Sequence, residues 1–283
     1  MNDQLRRRSV GAPAARSLLL TILGEFVLPR ADGVWQETLV AALGAMGHSP
    51  QAARQALARS ARDGWLVSER RGRRARVRLT AGTAELLRSG AERIYAFGEP
   101  WEWSGEWLMV VLRVPESRRE VRHRLRTQLA WAGLGSLGGG VWLTPHVDRE
   151  REIEETVLSS PAAEVVSFYG RIGRLGEPRR VAEAAWDLDA VMDQYETFLA
   201  EFGRLSASSH ETCFRAQTEL VHAWRKFPFL DPDLPAGLLR QGWPRERAHE
   251  LFRDRHERWA DGARAYFESL EDGVMAAGSA GSV

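Results

Sequence analysis

The sequence predicts an α+β protein in three parts, and three observations carry that prediction. First, Ser49 to Leu79 offers a polar helix bearing Arg and Gln, followed by a two-stranded ribbon with a cationic turn. Second, Trp107 to Arg171 alternates apolar runs and amphipathic stretches in the order β-α-β-β-α-β. Third, Leu188 to Leu270 is helical in pattern almost throughout. These segments read as an N-terminal winged helix-turn-helix over residues 14–95, a middle ferredoxin-like βαββαβ domain over 104–176, and a C-terminal helical domain over 181–272.

Residues 1–13 are Arg-rich, contain Gly11 and Pro13, and are expected to form a mobile basic arm. Ala14 to Val27 carries a helical stripe of Leu18, Leu19, Ile22, Leu23 and Phe26, closed by Pro29. A second short helix is expected from about Gln36 to Leu43, ending at Gly44. Ser49 is a good N-cap and Pro50 suits the first position of a third helix. Ala53, Ala56, Leu57 and Ser60 make its small-residue face, and Gly64 stops it. A strand from Trp65 to Glu69, a turn over Arg70-Arg71-Gly72-Arg73-Arg74 and a strand from Ala75 to Leu79 follow. In the second strand Val77 and Leu79 alternate with Arg76 and Arg78. Thr80 caps a fourth helix, about Ala81 to Ile94, and residues 95–105 read as a linker.

In the middle part Leu108 to Val114 is a buried strand and Arg118 to Ala132 an amphipathic helix. Gly133–Leu137 and Val141–Thr144 are short strands about a Gly138-Gly139-Gly140 hairpin. Asp148 caps a helix to Leu158, and Glu164 to Arg171 is the last strand. Beyond a polar link, helices are expected over Leu188–Arg204, Ser209–Lys226 and from Pro244 to about Leu270, with a break at Pro228, Pro232 and Pro235. Residues 276–283 have the composition of a disordered tail.

The composition, 44% hydrophobic and 27% charged, is that of an ordinary globular protein. No run of about 18 apolar residues suggests a membrane span. The single cysteine, Cys213, excludes an internal disulfide framework, and a cytoplasmic protein is expected. The net charge of +1 hides an asymmetry: residues 1–97 carry 16 Arg against 8 acidic residues, whereas residues 98–283 have an acidic excess of 7. A cationic N-terminal third is the electrostatic footprint of a nucleic-acid-binding domain. The residues expected to contact duplex DNA are Ser49, Gln51, Arg54, Gln55 and Arg59 on the helix and Arg70, Arg71, Arg73, Arg74 and Arg76 on the wing. Arg bonds guanine bidentately and Gln bonds adenine, so the helix reads bases while the wing grips phosphates. Arg62 is expected to lie past the contact zone, paired with Asp63 or with the body.

Three stretches carry a family resemblance. The first is Arg54, Leu57 and Arg59 with Asp63-Gly64-Trp65-Leu66. The second is Trp107-Leu108 to Val114 with Gly139-Gly140-Val141-Trp142-Leu143-Thr144-Pro145-His146. The third and most specific runs from His222-Ala223-Trp224-Arg225-Lys226 through Asp231-Pro232-Asp233-Leu234-Pro235 and is completed by Gly242-Trp243-Pro244. Over about residues 14–270 the chain resembles the PaaX family, transcriptional repressors of phenylacetic acid degradation. The resemblance implies a homodimer on a palindromic operator, released by an acyl-CoA effector such as phenylacetyl-CoA. The candidate effector-binding residues are Trp142, His146, Trp224, Arg225 and Lys226. For each the plainer reading stands beside it: Trp224, with Trp186, Trp243 and Trp259, as helical core, His146 as structural, and Arg225 and Lys226 as solvated surface.

No metal, cofactor or enzymatic activity is expected. His249 and His256 lie seven apart and could share a helix face, but no acidic or Cys partner completes a metal set. Gly138-Gly139-Gly140 lacks the Gly-Lys-Ser/Thr sequel of a phosphate loop. The ferredoxin-like part resembles that of CRISPR-adaptation nucleases, whose first strand ends in a metal-binding Asp. Here that strand ends Leu112-Arg113-Val114-Pro115, so a metal-dependent nuclease is a weaker alternative. A winged helix used for protein contacts is the third reading, and the basic N-terminal third weighs against it.

Overall fold

The computed structural model describes residues 13–30, 32–99, 101–158 and 164–279. The expected arm, apart from Pro13, and the end of the expected tail fall outside the described residues. Two compact units are formed, one from Met1–Tyr95, Arg204–Trp224 and Phe252–Val283, the other from Ala96–Gly203 and Arg225–Leu251. The architecture is α+β, with helices and antiparallel sheets.

In the first unit, α1 (Ala15–Ile22) buries Leu18, Leu19 and Ile22. The continuous helix expected to Val27 does not form: Leu23–Val27 is a π turn, with Leu28 N–H donating to the Leu23 carbonyl at 2.8 Å. Leu23, Phe26 and Val27 are buried there, and Glu25 between them meets a polar cluster. α2 (Gln36–Ala45) passes through Gly44 and stops two residues later than expected, where His48 N–H caps the Leu43 carbonyl at 3.0 Å. α3 (Pro50–Arg62) starts at Ser49, whose Oγ accepts from Ala52 N–H at 3.2 Å. Its buried face is Ala53, Ala56, Leu57 and Ser60, the small residues that let α1 and α2 pack closely on it.

The ribbon is tighter than the sequence suggests. β2 (Leu66–Arg71) and β3 (Arg74–Leu79) pair from Leu66↔Leu79 to Arg71↔Arg74, leaving a two-residue turn, Gly72-Arg73. Arg70, Arg71 and Arg74, expected in the turn, are therefore strand residues. Gly72 has φ +65°, which the turn requires and a side chain resists. An unexpected strand, β1 (Val34–Trp35), pairs with β3 through Val34↔Val77. Gly33 permits that approach, since a Cβ there would sit 2.3 Å from the Val77 carbonyl oxygen. α4 (Ala81–Ala96) follows, capped by Thr80 Oγ1 accepting from Thr83 N–H.

The second unit holds a four-stranded antiparallel sheet. Its strands are β4 (Trp107–Arg113), β5 (Gly135–Gly138), β6 (Val141–Thr144) and β7 (Glu164–Gly170), in the order β5-β6-β4-β7. α5 (Arg119–Trp131) and α6 (Glu150–Leu158) supply Leu125, Leu129, Ile153 and Val157 to one core with Leu108, Val110 and Leu112. On the other face Trp107 and Leu143 pack with Ala182 of α7 (Pro178–Ala185) and with Leu234 and Leu238. The helix expected from Asp148 begins as a 3-10 turn, Val147–Arg149.

α8 (Leu188–Arg204) and α9 (His210–Trp224) follow. The break expected at Pro228 is instead a short helix, α10 (Phe227–Leu230), because proline in a first turn gives up no hydrogen bond. α11 (Arg245–Ser279) is the last described element, and it runs on past the end expected at about Leu270 into the first four residues of the expected tail. The four tryptophans expected to share a core divide: Trp224 and Trp259 are buried in the first unit, whereas Trp186 and Trp243 pack beside Leu234 in the second.

Candidate nucleic-acid interface

Once α3 turns its small residues inward, Gln51, Arg54, Gln55 and Arg59 fall on its outer face, and all four are exposed. None of their side chains has a hydrogen bond or ion pair among the described residues. Ser49 sits at the N-terminal end of this face, its lone pair engaged by the cap. The C-terminal end is fixed to α1, where Arg16 bonds Asp63 at 2.5 Å and lies 4.3 Å over the Trp65 ring. Asp63 thus pairs with Arg16, not with Arg62 as expected. Arg62 extends the same exposed surface.

The hairpin sorts its arginines into two groups. Arg70, Arg71 and Arg73 are exposed. Arg70 Nε makes only a 3.4 Å contact with the Gly72 carbonyl, and Arg71 lies 3.5 Å from Glu69. Arg74 and Arg76 turn inward. Arg76 donates to the Asp32 carbonyl at 2.8 Å and the Gly33 carbonyl at 3.2 Å, and stands 5.2 Å over Trp35. Arg74 donates to the Val274 carbonyl. Glu271 of α11 completes this junction: its Oε2 accepts from Thr38 Oγ1 at 2.6 Å and Trp35 N–H at 3.3 Å, and its Oε1 is 3.9 Å from Arg76. Arg78 is an exposed cation that the sequence-derived site leaves out, although strand alternation puts it beside Arg76; Glu69 is its 3.9 Å neighbour.

The unit behind this surface is held by a buried acid. Glu25 Oε2 lies 3.0 Å from His256 Nε2 and accepts from Gln217 Nε2 at 3.2 Å, and Oε1 accepts from Tyr95 OH at 2.5 Å. Burial works to raise the Glu25 pKa, but the bonds and charge of His256, helped by Tyr95 and Gln217, outweigh it and hold the carboxyl below its ordinary value. The sequence hides this cluster, since its four members come from distant segments. His256 has Glu25 as an acidic partner, and among the described residues no group of three or more metal-ligating side chains forms.

Three family models match consecutive stretches of the chain: PaaX-like protein over residues 14–83, PaaX protein central Cas2-like domain over 100–182, and PaaX-like protein C-terminal domain over 186–269. The chain belongs to the PaaX family. It is 27% identical over 263 residues to the Transcriptional repressor PaaX of Escherichia coli (strain K12), covering 88% of this chain and 82% of that protein. Among solved structures it is similar to Uncharacterized protein Rv0674 from Mycobacterium tuberculosis, with a TM-score of 0.61, 22% identity, and coverage of 90% of this chain and 99% of that one.

In this PaaX family member the five candidate effector residues do not share one environment. Trp142 is buried in the sheet core with Leu108 and Leu129. Trp224 is fully buried in the other unit, stacked 4.8 Å from Phe252 and donating to the Ile94 carbonyl at 3.0 Å. His146 is buried with Nε2 3.2 and 3.1 Å from the Pro232 and Asp233 carbonyls, and its ring lies 4.5 Å from Trp101. Burial first, then the nearby Arg149 charge, push its pKa down to about 4. Arg225 is half-buried, with its pKa lowered by burial, and Lys226 is exposed. A depression of about 370 Å³ in the same unit as Lys226 is lined by Glu183, Trp186, Asp189 and Arg240 and includes none of the five.

Proposed function

We propose that this chain is a DNA-binding transcriptional repressor acting as a homodimer on a palindromic operator. The observation that carries the reading is the exposed face of α3, with Gln51, Arg54, Gln55 and Arg59 lacking side-chain partners among the described residues, beside a hairpin that presents Arg70, Arg71 and Arg73. That is the plan of a winged helix-turn-helix, with one helix for the major groove and a wing for the phosphates. The name of the Escherichia coli relative, a transcriptional repressor, agrees with it. Ser49 orients the helix by its cap, and Arg74 and Arg76 act on DNA indirectly, by fixing the wing against β1 and α11.

The strand order β5-β6-β4-β7 with helices after the first and third strands supports a ferredoxin-like middle domain. The effector is proposed to be an acyl-CoA thioester of the aryl type, on the strength of the family resemblance. His146, Arg225 and Lys226 are then the polar candidates for it, since Trp142 and Trp224 serve the cores. Among the described residues no helix is long and apolar enough to cross a membrane; a cytoplasmic, non-enzymatic regulator is the proposed setting.

A gel shift with the region upstream of its own gene tests the reading. Retardation, relieved by an aryl-acyl-CoA, is the expected result. Unchanged affinity in a chain carrying Arg54→Ala and Arg73→Ala would show that the DNA surface lies elsewhere.

A further inference from the structure

In the second unit, the flank of α5 is the most cationic stretch of an otherwise acidic part of the chain. Residues 113–126 hold Arg113, Arg118, Arg119, Arg122, Arg124 and Arg126 against Glu116 and Glu120, within a segment, 98–283, whose net charge is −7. Leu125 and Leu129 face the sheet core and fix the rotation of the helix. At about 100° per residue, Arg122, Arg126, Arg119 and His123 then fall in one arc of roughly 100°, while Glu120 falls outside it. Arg119, His123 and Arg126 are exposed, as are Arg113 at the end of β4 and Arg118 at the start of the helix.

Two further facts set this stripe apart from an ordinary solvated helix face. Among the described residues Arg113, Arg118, Arg119, Arg122 and Arg126 have no ion pair; the contact they make is a 3.4 Å donation from Arg122 Nη2 to the Pro115 carbonyl. Of the exposed arginines elsewhere in the same unit, Arg151, Arg180, Arg240 and Arg247 each stand beside a carboxylate, whereas Arg171, which donates to the Ser104 carbonyl, and Arg174 do not, and those two lie apart from any arginine cluster in the sequence. Moreover, Arg118 and Arg119 occupy the N-terminal end of α5, where the helix dipole favours anions and disfavours cations. Both facts leave an uncompensated positive field that a polyanion would neutralise.

We infer that this flank of α5 is a second phosphate-binding surface, and that its occupant is the sugar–phosphate backbone of duplex DNA. The inference rests on the proposed DNA-binding function. From Arg118 to Arg126 the helix advances about 12 Å, the length of three to four base-pair steps at 3.4 Å each. Guanidinium forks at that spacing match a row of phosphates bidentately. Contacts to phosphates carry no sequence information, so the surface adds affinity and salt dependence without sequence preference.

The test is the salt dependence of binding by the full chain and by its Arg119→Gln/Arg122→Gln/Arg126→Gln variant. The probes are a duplex cut from the region upstream of its own gene and a random-sequence duplex of equal length. Each lost phosphate contact flattens the log–log slope by about 0.9, so the variant's slope is expected to fall by about 2 to 3 on both duplexes, with the preference between them unchanged. Equal slopes, with wild-type preference for the upstream duplex intact, would overturn the second surface and leave the function standing. Equal slopes with a lost response to added CoA thioester, or with lost self-association, would also overturn it, assigning the stripe to a small polyanion or to an acidic protein surface. If the wild-type chain retains neither duplex, both readings fall together. Circular dichroism and a melting curve check that the variant is folded.

Discussion

Arg245 holds Asp231 by two parallel hydrogen bonds, Nη2 to Oδ1 at 2.7 Å and Nε to Oδ2 at 2.9 Å, with both side chains almost wholly buried. Tyr195 OH adds a 2.7 Å donation to Asp231, and Asp233 Oδ1 lies 3.1 Å from the guanidinium. The arrangement fixes the Asp231-Pro232-Asp233 turn, where Asp233 takes a φ of +54°. Removing one partner leaves an uncompensated buried charge. Arg245→Ala is expected to cost about 3–5 kcal/mol in urea unfolding. Asp231→Asn is expected to cost less, because Asp233 still faces the guanidinium. An Arg245→Ala loss below about 1 kcal/mol would contradict this account.

The Glu25 cluster makes the first unit sensitive to acid. Its carboxyl is held below the ordinary value of 4.5, so its contribution is complete above that pH and is lost as pH falls through the lowered pKa. Glu25→Ala orphans donors from His256, Tyr95 and Gln217 and is expected to cost about 2–4 kcal/mol at neutral pH. The loss should shrink as the medium is made more acid than pH 4.5. Denaturation curves of both chains across that range measure it.

His146 works with the same sign for a different reason. It is buried neutral, with a pKa near 4 against an ordinary 6.5, so the unfolded chain binds the extra proton between those values. Stability is therefore full above pH 6.5 and declines toward pH 4, by at most about 3 kcal/mol. His146→Gln should lower stability at pH 7 and flatten the curve from pH 6.5 to 4. A variant curve parallel to wild type would assign the acid sensitivity elsewhere.

On DNA, the two groups of arginines should separate. Arg54→Ala is expected to lose about 1–3 kcal/mol on the operator and to relax discrimination at one base pair. Arg73→Ala should weaken operator and random duplex alike, with the salt slope reduced by about 0.9. Arg76→Ala should leave the slope nearly unchanged and lower the melting temperature, since its guanidinium is engaged with Asp32, Gly33 and Trp35. Filter binding over a salt series, with a melting curve for each variant, tells the three apart.

Local chemistry was legible in the sequence where one segment contained its own instructions. Ser49-Pro50, the small-residue face of α3 and Gly64 mark that helix at both ends and on both sides. The apolar run of β4 and the glycine hairpin place the sheet in the same way. What stayed hidden depends on partners far along the chain. β1 exists because Gly33 lets the backbone approach Val77, and two residues carry no periodicity. Glu25, inside the π turn, finds its partners in Tyr95, Gln217 and His256. Within the wing, identical arginines differ because Trp35, Asp32 and α11 reach Arg74 and Arg76 but not Arg73. The third helical stretch looked continuous because periodicity reports a buried face without saying which core buries it; Trp224 and Trp243 went to different units.

The two-residue turn at Gly72-Arg73 limits how this ribbon can be lengthened. With Arg71 already opposite Arg74, a residue added within either strand has no slack to occupy and must displace the ladder, whereas one added between Gly72 and Arg73 only widens the loop. A shift by one position would turn Val77 toward water, swing Arg78 toward the interior and take Arg76 away from Asp32, Gly33 and Trp35. Length variants that keep the ribbon's two faces therefore arrive in pairs of residues, and an engineer grafting a longer wing should count in twos.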